Sequence, residues 1–190
     1  MDGYSKLFRI GKLLFEQHLI SASAGNISMR TGNLIHITAS GSFLGDLRRE
    51  DVVKLEMSGA NSSFAYVNQK KPSTESGVHL SVYRTTDFKA IVHAHTPAAL
   101  ALSFGRNKLE FIDAEGKFYL PEVPVLTVEN PIASPEVALL LPQCLVRYKA
   151  AVITGHGSFA AADTIEGAFA LISSLEFSSE ILLKYLSLNK

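Results

Sequence analysis

Two histidines, His93 and His95, close the apolar run Ala90-Ile91-Val92 and flank Ala94. Side chains two positions apart on a strand point to one face, so both imidazoles can converge on one ion. Neutral imidazole suits zinc, and catalytic zinc usually takes three protein ligands with one position open. His156, set between Gly155 and Gly157 after the apolar run 150–154, is the candidate third ligand. The flanking glycines let the backbone there take unusual angles and approach another group closely. Glu75 follows Pro72-Ser73-Thr74 at the start of a helical stretch. A carboxylate there can bind a metal, move a proton, or simply complement the helix dipole. His79 lies one turn later on the same face, where it can orient Glu75 or sit as a hydrogen-bonded core histidine. Three loops of small residues, Ser23-Ala24-Gly25-Asn26, Thr38-Ala39-Ser40-Gly41 and Pro72-Ser73-Thr74, offer hydroxyls and backbone N–H groups to an anion. Each feature has a plainer account: strand-end histidines bonded to backbone, an exposed turn histidine, a dipole-facing glutamate, ordinary turn chemistry. Taken singly, the plainer account is preferred for every one of them.

The elements that must position these residues follow from periodicity. Residues 4–19 carry Tyr4, Leu7, Phe8, Leu14, Phe15 and Leu19 at three- and four-residue spacing, which predicts an amphipathic helix. Strands are expected at 26–30 and 34–38, joined by Thr31-Gly32-Asn33, with weaker candidates at 52–55 and 64–67. A helix is expected over 74–84 and a buried strand over 90–95, stopped by Thr96-Pro97, a cap followed by proline at the first helical position. The same device at Ser134-Pro135 opens a helix expected to end before Pro142. After the strand at 150–154, Gly155-His156-Gly157 reads as a tight bend. Asp163-Thr164-Ile165-Glu166 has the form of a capping box, opening a long helix to about residue 186. Interspersed helices and strands give an α/β class with helices covering a central sheet. Hairpin-like turns in the first half point to antiparallel pairing there.

Length and composition narrow the function classes. A chain of 190 residues without repeat, linker or charge block is expected to be a single domain, 1–190. Eighteen basic residues balance eighteen acidic ones, which argues against a nucleic-acid surface. One cysteine, Cys144, excludes an intramolecular disulfide and a cysteine-built zinc site, and its apolar neighbours suggest an inert thiol. There is no apolar run of the ~20 residues that span a bilayer. Met1-Asp2-Gly3 lacks the basic-then-apolar pattern of a signal peptide, so the expected compartment is the cytoplasm. His18 and His36 fit ordinary surface or half-buried positions.

Together and in order, Ala24-Gly25-Asn26-Ile27-Ser28, Thr38-Ala39-Ser40-Gly41, Pro72-Ser73-Thr74-Glu75, His93-Ala94-His95 and His156-Gly157 resemble the class II aldolase/adducin family, from about residue 4 to 186. The combination reverses the preference for the plainer account at His93, His95, His156 and Glu75. The resemblance implies a three-layer α/β/α sandwich with a mainly antiparallel central sheet. It also implies a homotetramer with active sites at subunit interfaces. By position, His93, His95 and His156 would hold Zn2+, one per chain, and Glu75 would be the acid/base, able to sit on the metal until substrate displaces it. Ser23, Gly25, Asn26, Ser40, Gly41, Ser73 and Thr74 would cradle a substrate phosphate. Three imidazoles and a carboxylate also suit cobalt, manganese or iron.

The implied reaction is a zinc-dependent aldol cleavage of a small phosphorylated ketose to dihydroxyacetone phosphate and an aldehyde. Breaking a carbon–carbon bond beside a ketone leaves an enediolate, whose charge a metal stabilises as a Lewis acid. Phosphate binding holds the reacting carbons near Glu75. Methylthioribulose-1-phosphate dehydratase and related decarboxylases or epimerases are alternatives within the family, and a non-catalytic adducin-like scaffold is a further one. Pentulose-5-phosphate epimerases typically carry aspartate where this chain has Glu75, which favours the other reactions. Gly155 stands where relatives often place histidine or asparagine. Some members take an acid tyrosine from a neighbouring subunit, and its counterpart here is not evident; Tyr119 is close in sequence but is not assigned.

Overall fold

The computed structural model describes residues 3–57 and 70–189. The strand candidate at 64–67 lies outside them. Eight strands form one sheet in the order β3-β2-β1-β4-β8-β7-β6-β5. They are β1 Asn26–Thr31, β2 Leu34–Thr38, β3 Val52–Glu56, β4 Ala90–Ala94, β5 Lys108–Leu109, β6 Val123–Leu126, β7 Ala150–Ile153 and β8 Gly157–Ala162. Every neighbouring pair is antiparallel except β6–β7. The α/β sandwich with a mainly antiparallel sheet is therefore the observed architecture.

Helices close both faces. On one lie α1 (Gly3–Glu16), α3 (Pro97–Ser103), α4 (Ala114–Tyr119) and α6 (Ile165–Leu188), around a core that includes Leu7, Leu14, Leu102 and Ile172. On the other lie α2 (Ser76–Thr85) and α5 (Pro135–Tyr148), around Val78, Val82, Leu141 and Leu145. Alternation along β4 serves both cores: Ala90 and Val92 face the first, Ile91 the second, and His93 shares the face of Ile91. A strand buried on both faces reads as an apolar run, as β4 does apart from His93.

Helix α5 runs through Pro142 to Tyr148, and does not end before the proline. Proline inside a helix costs about 3 kcal/mol, whereas each fully buried aliphatic side chain contributes about 1.5–3 kcal/mol. Val137, Leu141 and Leu145 are all fully buried, so continuing the helix wins. Its start is as expected: Ser134 accepts from the Val137 amide and Pro135 follows it. The first helix ends at Glu16, short of residue 19. Strand β8, Gly-Ser-Phe-Ala-Ala-Ala, has no β-branched residue to announce it; it forms because β4 and β7 pair with both its edges. No helix among the described residues is long and apolar enough to cross a membrane.

Candidate active site

The site lies at one end of the sheet, where β2 and β4 finish and β1 and β8 begin. Pairing places Asn26 opposite His93 and Ala94 opposite Ser158. A bridge between Ala39 and Pro72 brings the 38–41 and 72–74 loops side by side. Helix α2 starts at the same end, with Glu75 at its N-cap position.

Three imidazoles meet there. Ligand nitrogens of His93, His95 and His156 all lie within 4.8 Å of one another. The His93 Nδ1 donates to the Ser158 carbonyl at 3.0 Å; a carbonyl only accepts, so that nitrogen carries the proton and Nε2 bears a lone pair. The Nε2 faces the His95 Nε2 at 3.2 Å and Glu75 Oε2 at 3.1 Å. Glu75 Oε1 lies 3.8 Å from His156 Nε2. Burial holds the His93 pKa well below its ordinary value, and the His156 and His95 imidazoles add to the effect. His95 is lowered as well, first by burial and then by His156, with Glu75 opposing. The His93 Nε2 lone pair and the Glu75 carboxylate oxygen are both acceptors facing each other, an arrangement that a cation between them would satisfy.

A divalent metal fits that requirement. Two nitrogens bound tetrahedrally to zinc at about 2.05 Å stand roughly 3.3 Å apart, close to the His93–His95 separation. Four of the six buried side-chain polar atoms without a hydrogen-bond partner among the described residues belong to this neighbourhood: Asn26 Oδ1, Glu75 Oε1, His79 Nε2 and His156 Nδ1.

The framework behind the imidazoles is tight. Phe159 stacks on His93 with centroids 4.0 Å apart. A Cβ on Gly157 would meet the Ala94 carbonyl at 2.5 Å, His93 Cε1 at 3.0 Å and His95 Cδ2 at 3.1 Å. Only a residue without a side chain lets His156 turn in beside the other two. Gly25 takes a φ of 77°, and its missing Cβ leaves 2.8 Å to the His93 carbonyl.

Glu75 is held from two sides. Asn26 Nδ2 donates to Oε2 at 2.9 Å, and the Glu75 amide donates to Ser73 Oγ at 3.2 Å. Behind it, His79 Nδ1 meets Ser28 Oγ at 2.7 Å, and Ser28 meets the Tyr83 hydroxyl at 2.8 Å. Burial takes the His79 pKa down to about 3, against a raising contribution from Glu75, so this ring is neutral. Burial also pushes the Tyr83 phenol up.

A cleft of about 340 Å³ opens over these groups. Ser23, Gly25, Asn26, Ser40, Gly41, Ser73 and Thr74 all line it, together with Glu75, His95 and His156. His93 is fully buried beneath. The Ser40 and Ser73 amides are already bonded, to the Lys71 and Thr38 carbonyls. Asn26, read from sequence as an anion ligand, here holds Glu75. Ile132 lines the cleft and carried no signal in the sequence. Tyr119 lies at the end of α4, beside Leu171 of α6 and outside this cleft. Cys144 is half-buried against the second core, and burial raises its pKa.

Comparison with known proteins agrees with this arrangement. The family model for the class II aldolase and adducin N-terminal domain matches residues 5–183. The chain belongs to this family. Among solved structures, L-fuculose-1-phosphate aldolase from Thermus thermophilus superposes with a TM-score of 0.90 and 38% identity, over 98% of this chain and 95% of the other. L-fuculose phosphate aldolase of Methanocaldococcus jannaschii is 30% identical over 119 residues, 62% of each chain. Methylthioribulose-1-phosphate dehydratase of Methylococcus capsulatus is 28% identical over 91% of this chain and 89% of its own. As a class II aldolase/adducin domain, the chain thus has aldolase-type and dehydratase relatives.

Proposed function

We propose that the protein is a zinc-dependent aldolase that cleaves a small ketose 1-phosphate to dihydroxyacetone phosphate and an aldehyde. The observation that carries this reading is the His93 Nε2 lone pair, directed at His95 and Glu75 with His156 alongside. His93, His95 and His156 would hold the metal, with Glu75 as a displaceable fourth ligand. Bound there, zinc would supply Lewis acidity toward two adjacent oxygens of the substrate.

The chain's own groups do the rest. Ser23, Ser40 and Thr74 offer hydroxyls to the phosphate, and the Ser73 hydroxyl can donate while it accepts from Glu75. Gly25 and Gly41 keep these loops free of bulk, and Asn26 closes them against the carboxylate. No lysine or arginine lines the cleft among the described residues; the positive end of α2 supplies the favourable field for an anion. Glu75, held at Oε2 by Asn26, uses Oε1 to deliver a proton to the carbon left electron-rich when the aldehyde departs, balancing the proton lost by the hydroxyl that becomes the aldehyde carbonyl. In the condensation direction it removes that proton. A cytoplasmic homotetramer belongs to the same reading; exposed Phe43, Phe104, Phe118 and Ile132 support it, since they leave apolar surface on the isolated chain.

The test is zinc content by elemental analysis, followed by coupled detection of dihydroxyacetone phosphate from L-fuculose 1-phosphate and other ketose 1-phosphates. The expected result is about one zinc per chain and cleavage that Glu75→Gln reduces by about 10²–10⁴-fold while zinc stays bound. Full turnover by Glu75→Gln would refute the assignment. Water loss from methylthioribulose 1-phosphate, without cleavage of any ketose phosphate, would establish the dehydratase reading instead.

A further inference from the structure

Helix α3 begins where β4 ends, so its first turn fixes the strand end that carries His93 and His95. Helices α4, α5 and α6 are each capped by their own N-cap side chain: Asp113, Ser134 and Thr164 accept from the amides of Gly116, Val137 and Gly167. Thr96 occupies the same position at α3, but its side chain makes no cap bond. Its hydroxyl turns instead to Ser158 Oγ across the β4–β8 seam. The first amides of α3 are met from elsewhere. Glu176 Oε1 accepts from the Ala98 amide at 2.7 Å and Oε2 from the Ala99 amide at 3.0 Å. Glu176 lies in α6 and is 6% exposed.

A local hydroxyl could cap this helix without burying a charge, and burial raises the Glu176 pKa despite its two amide donors. A carboxylate suits the positive end of the helix, but its burial is a cost that a local hydroxyl would avoid. What it does achieve is to leave the Thr96 hydroxyl free. Thr96 then ties Ser158, and the carbonyl of Ser158 accepts the His93 Nδ1 proton. A second partner on a ligating histidine fixes its tautomer and ring orientation.

We propose that Glu176 is a positioning residue for the imidazole cluster: by capping α3 in place of Thr96, it lets Thr96 and Ser158 hold His93 as the Nδ1–H tautomer with Nε2 directed into the site. The inference rests on the metal-site reading, but part of its test needs no metal. Long-range proton–nitrogen NMR on the metal-free chain reports the His93 tautomer, and competition with a chromophoric chelator reports zinc affinity. In the wild type His93 is expected as Nδ1–H. In Glu176→Ala the other tautomer is expected to appear and zinc to bind about 10–100-fold more weakly. Glu176→Gln keeps the shape and one acceptor, so it is expected to fold and to show an intermediate mixture. Ile172→Val, a buried change on the same helix, is expected to lower the melting temperature and leave both readouts unchanged. Thr96→Val should weaken zinc like Glu176→Ala, and the double variant should lose little more, because both act through one link. A folded Glu176→Gln with the wild-type tautomer and zinc affinity would overturn the proposal, as would the same changes in Ile172→Val. A wild-type chain that binds no zinc would refute the metal-site reading, and the tautomer comparison would still decide the role of Glu176.

Discussion

Gly157→Ala isolates the packing on which the imidazole cluster depends. Gly157 does not have a left-handed φ, so alanine meets no backbone penalty and any effect comes from its added methyl group. That methyl would sit 2.5 Å from the Ala94 carbonyl oxygen, about 0.9 Å short of ordinary contact. It would also press on His93 Cε1 at 3.0 Å and His95 Cδ2 at 3.1 Å. His95 is only partly buried and can give way. His93 cannot: it is fully buried, stacked on Phe159 and bonded to Ser158. Strands β4 and β8 must therefore part locally, and overpacking of this kind typically costs about 1–3 kcal/mol. For a domain of this length, 1 kcal/mol moves the melting temperature by about 2–4 °C, so a fall of about 2–12 °C is expected in the metal-free chain. Displaced imidazoles should also weaken zinc about 10–100-fold, the range found when groups supporting a ligand are disturbed. Calorimetry in chelator gives the first quantity and chelator competition the second. Wild-type melting together with wild-type zinc affinity would refute the argument that the three imidazoles converge only because residue 157 has no side chain.

Two further predictions concern the pH dependence of stability. His79 is held neutral with a pKa of about 3, whereas the unfolded chain titrates it near 6.5. Below pH 6.5 the unfolded state binds a proton that the fold refuses, so stability falls as pH falls toward 3, by up to about 1.4 kcal/mol per unit from this residue. In His79→Gln that contribution disappears, and urea unfolding in chelator should show a shallower acid limb; an unchanged slope would contradict the buried neutral assignment. Burial opposes ionisation of Asp51, but hydrogen bonds from Lys70 and the Arg48 amide outweigh it and hold the carboxyl below its ordinary value. Lys70→Met should cost about 0.5–1 kcal/mol at neutral pH, because the lysine is half-exposed. A depressed carboxylate stabilises above its unfolded pKa, so the difference should vanish as pH drops through the folded value. A loss that persisted after the carboxyl is fully protonated would assign the effect to packing.

Much of the site was legible in the sequence because its parts are local. The two-residue spacing of His93 and His95 gives one face of a strand, and the glycines around His156 mark the turn that brings it back. The long separations between Asn26, Glu75, His93 and His156 carry no geometric information by themselves. Only the ordered set of motifs joined them, and the sheet order β1-β4-β8 together with the Ala39–Pro72 bridge is what makes them neighbours. What stayed hidden was of two kinds. Apart from Phe159, strand β8 is built from small residues, so it lacks the branched side chains that announce a strand. Partners such as Ser28, Ser158 and Glu176 are polar groups whose significance lies in what they face across the fold. Glu176 in sequence is one more glutamate in a long helix. Thr96 was legible as a cap by position, but its hydroxyl bonds elsewhere, and no local pattern could have shown that.

The same contrast bears on how the site is maintained. A cluster of imidazoles, a carboxylate and several unpartnered polar atoms is costly to bury without a cation, and it does not favour folding on its own. The surrounding structure must supply the difference. It does so at the centre of the sheet, where β4 is buried on both faces and has β1 and β8 as neighbours, and where strand ends are least free to move. At an edge strand such as β3 or β5 the same residues would have a partner on one side only, and neither Phe159 nor Ser158 would have a counterpart. A metal binding to the folded chain alone would offset the burial by mass action, about 2.7 kcal/mol at a hundred times its dissociation constant. Melting temperature should therefore rise with added zinc, and the rise should shrink in step with each variant that loosens His93.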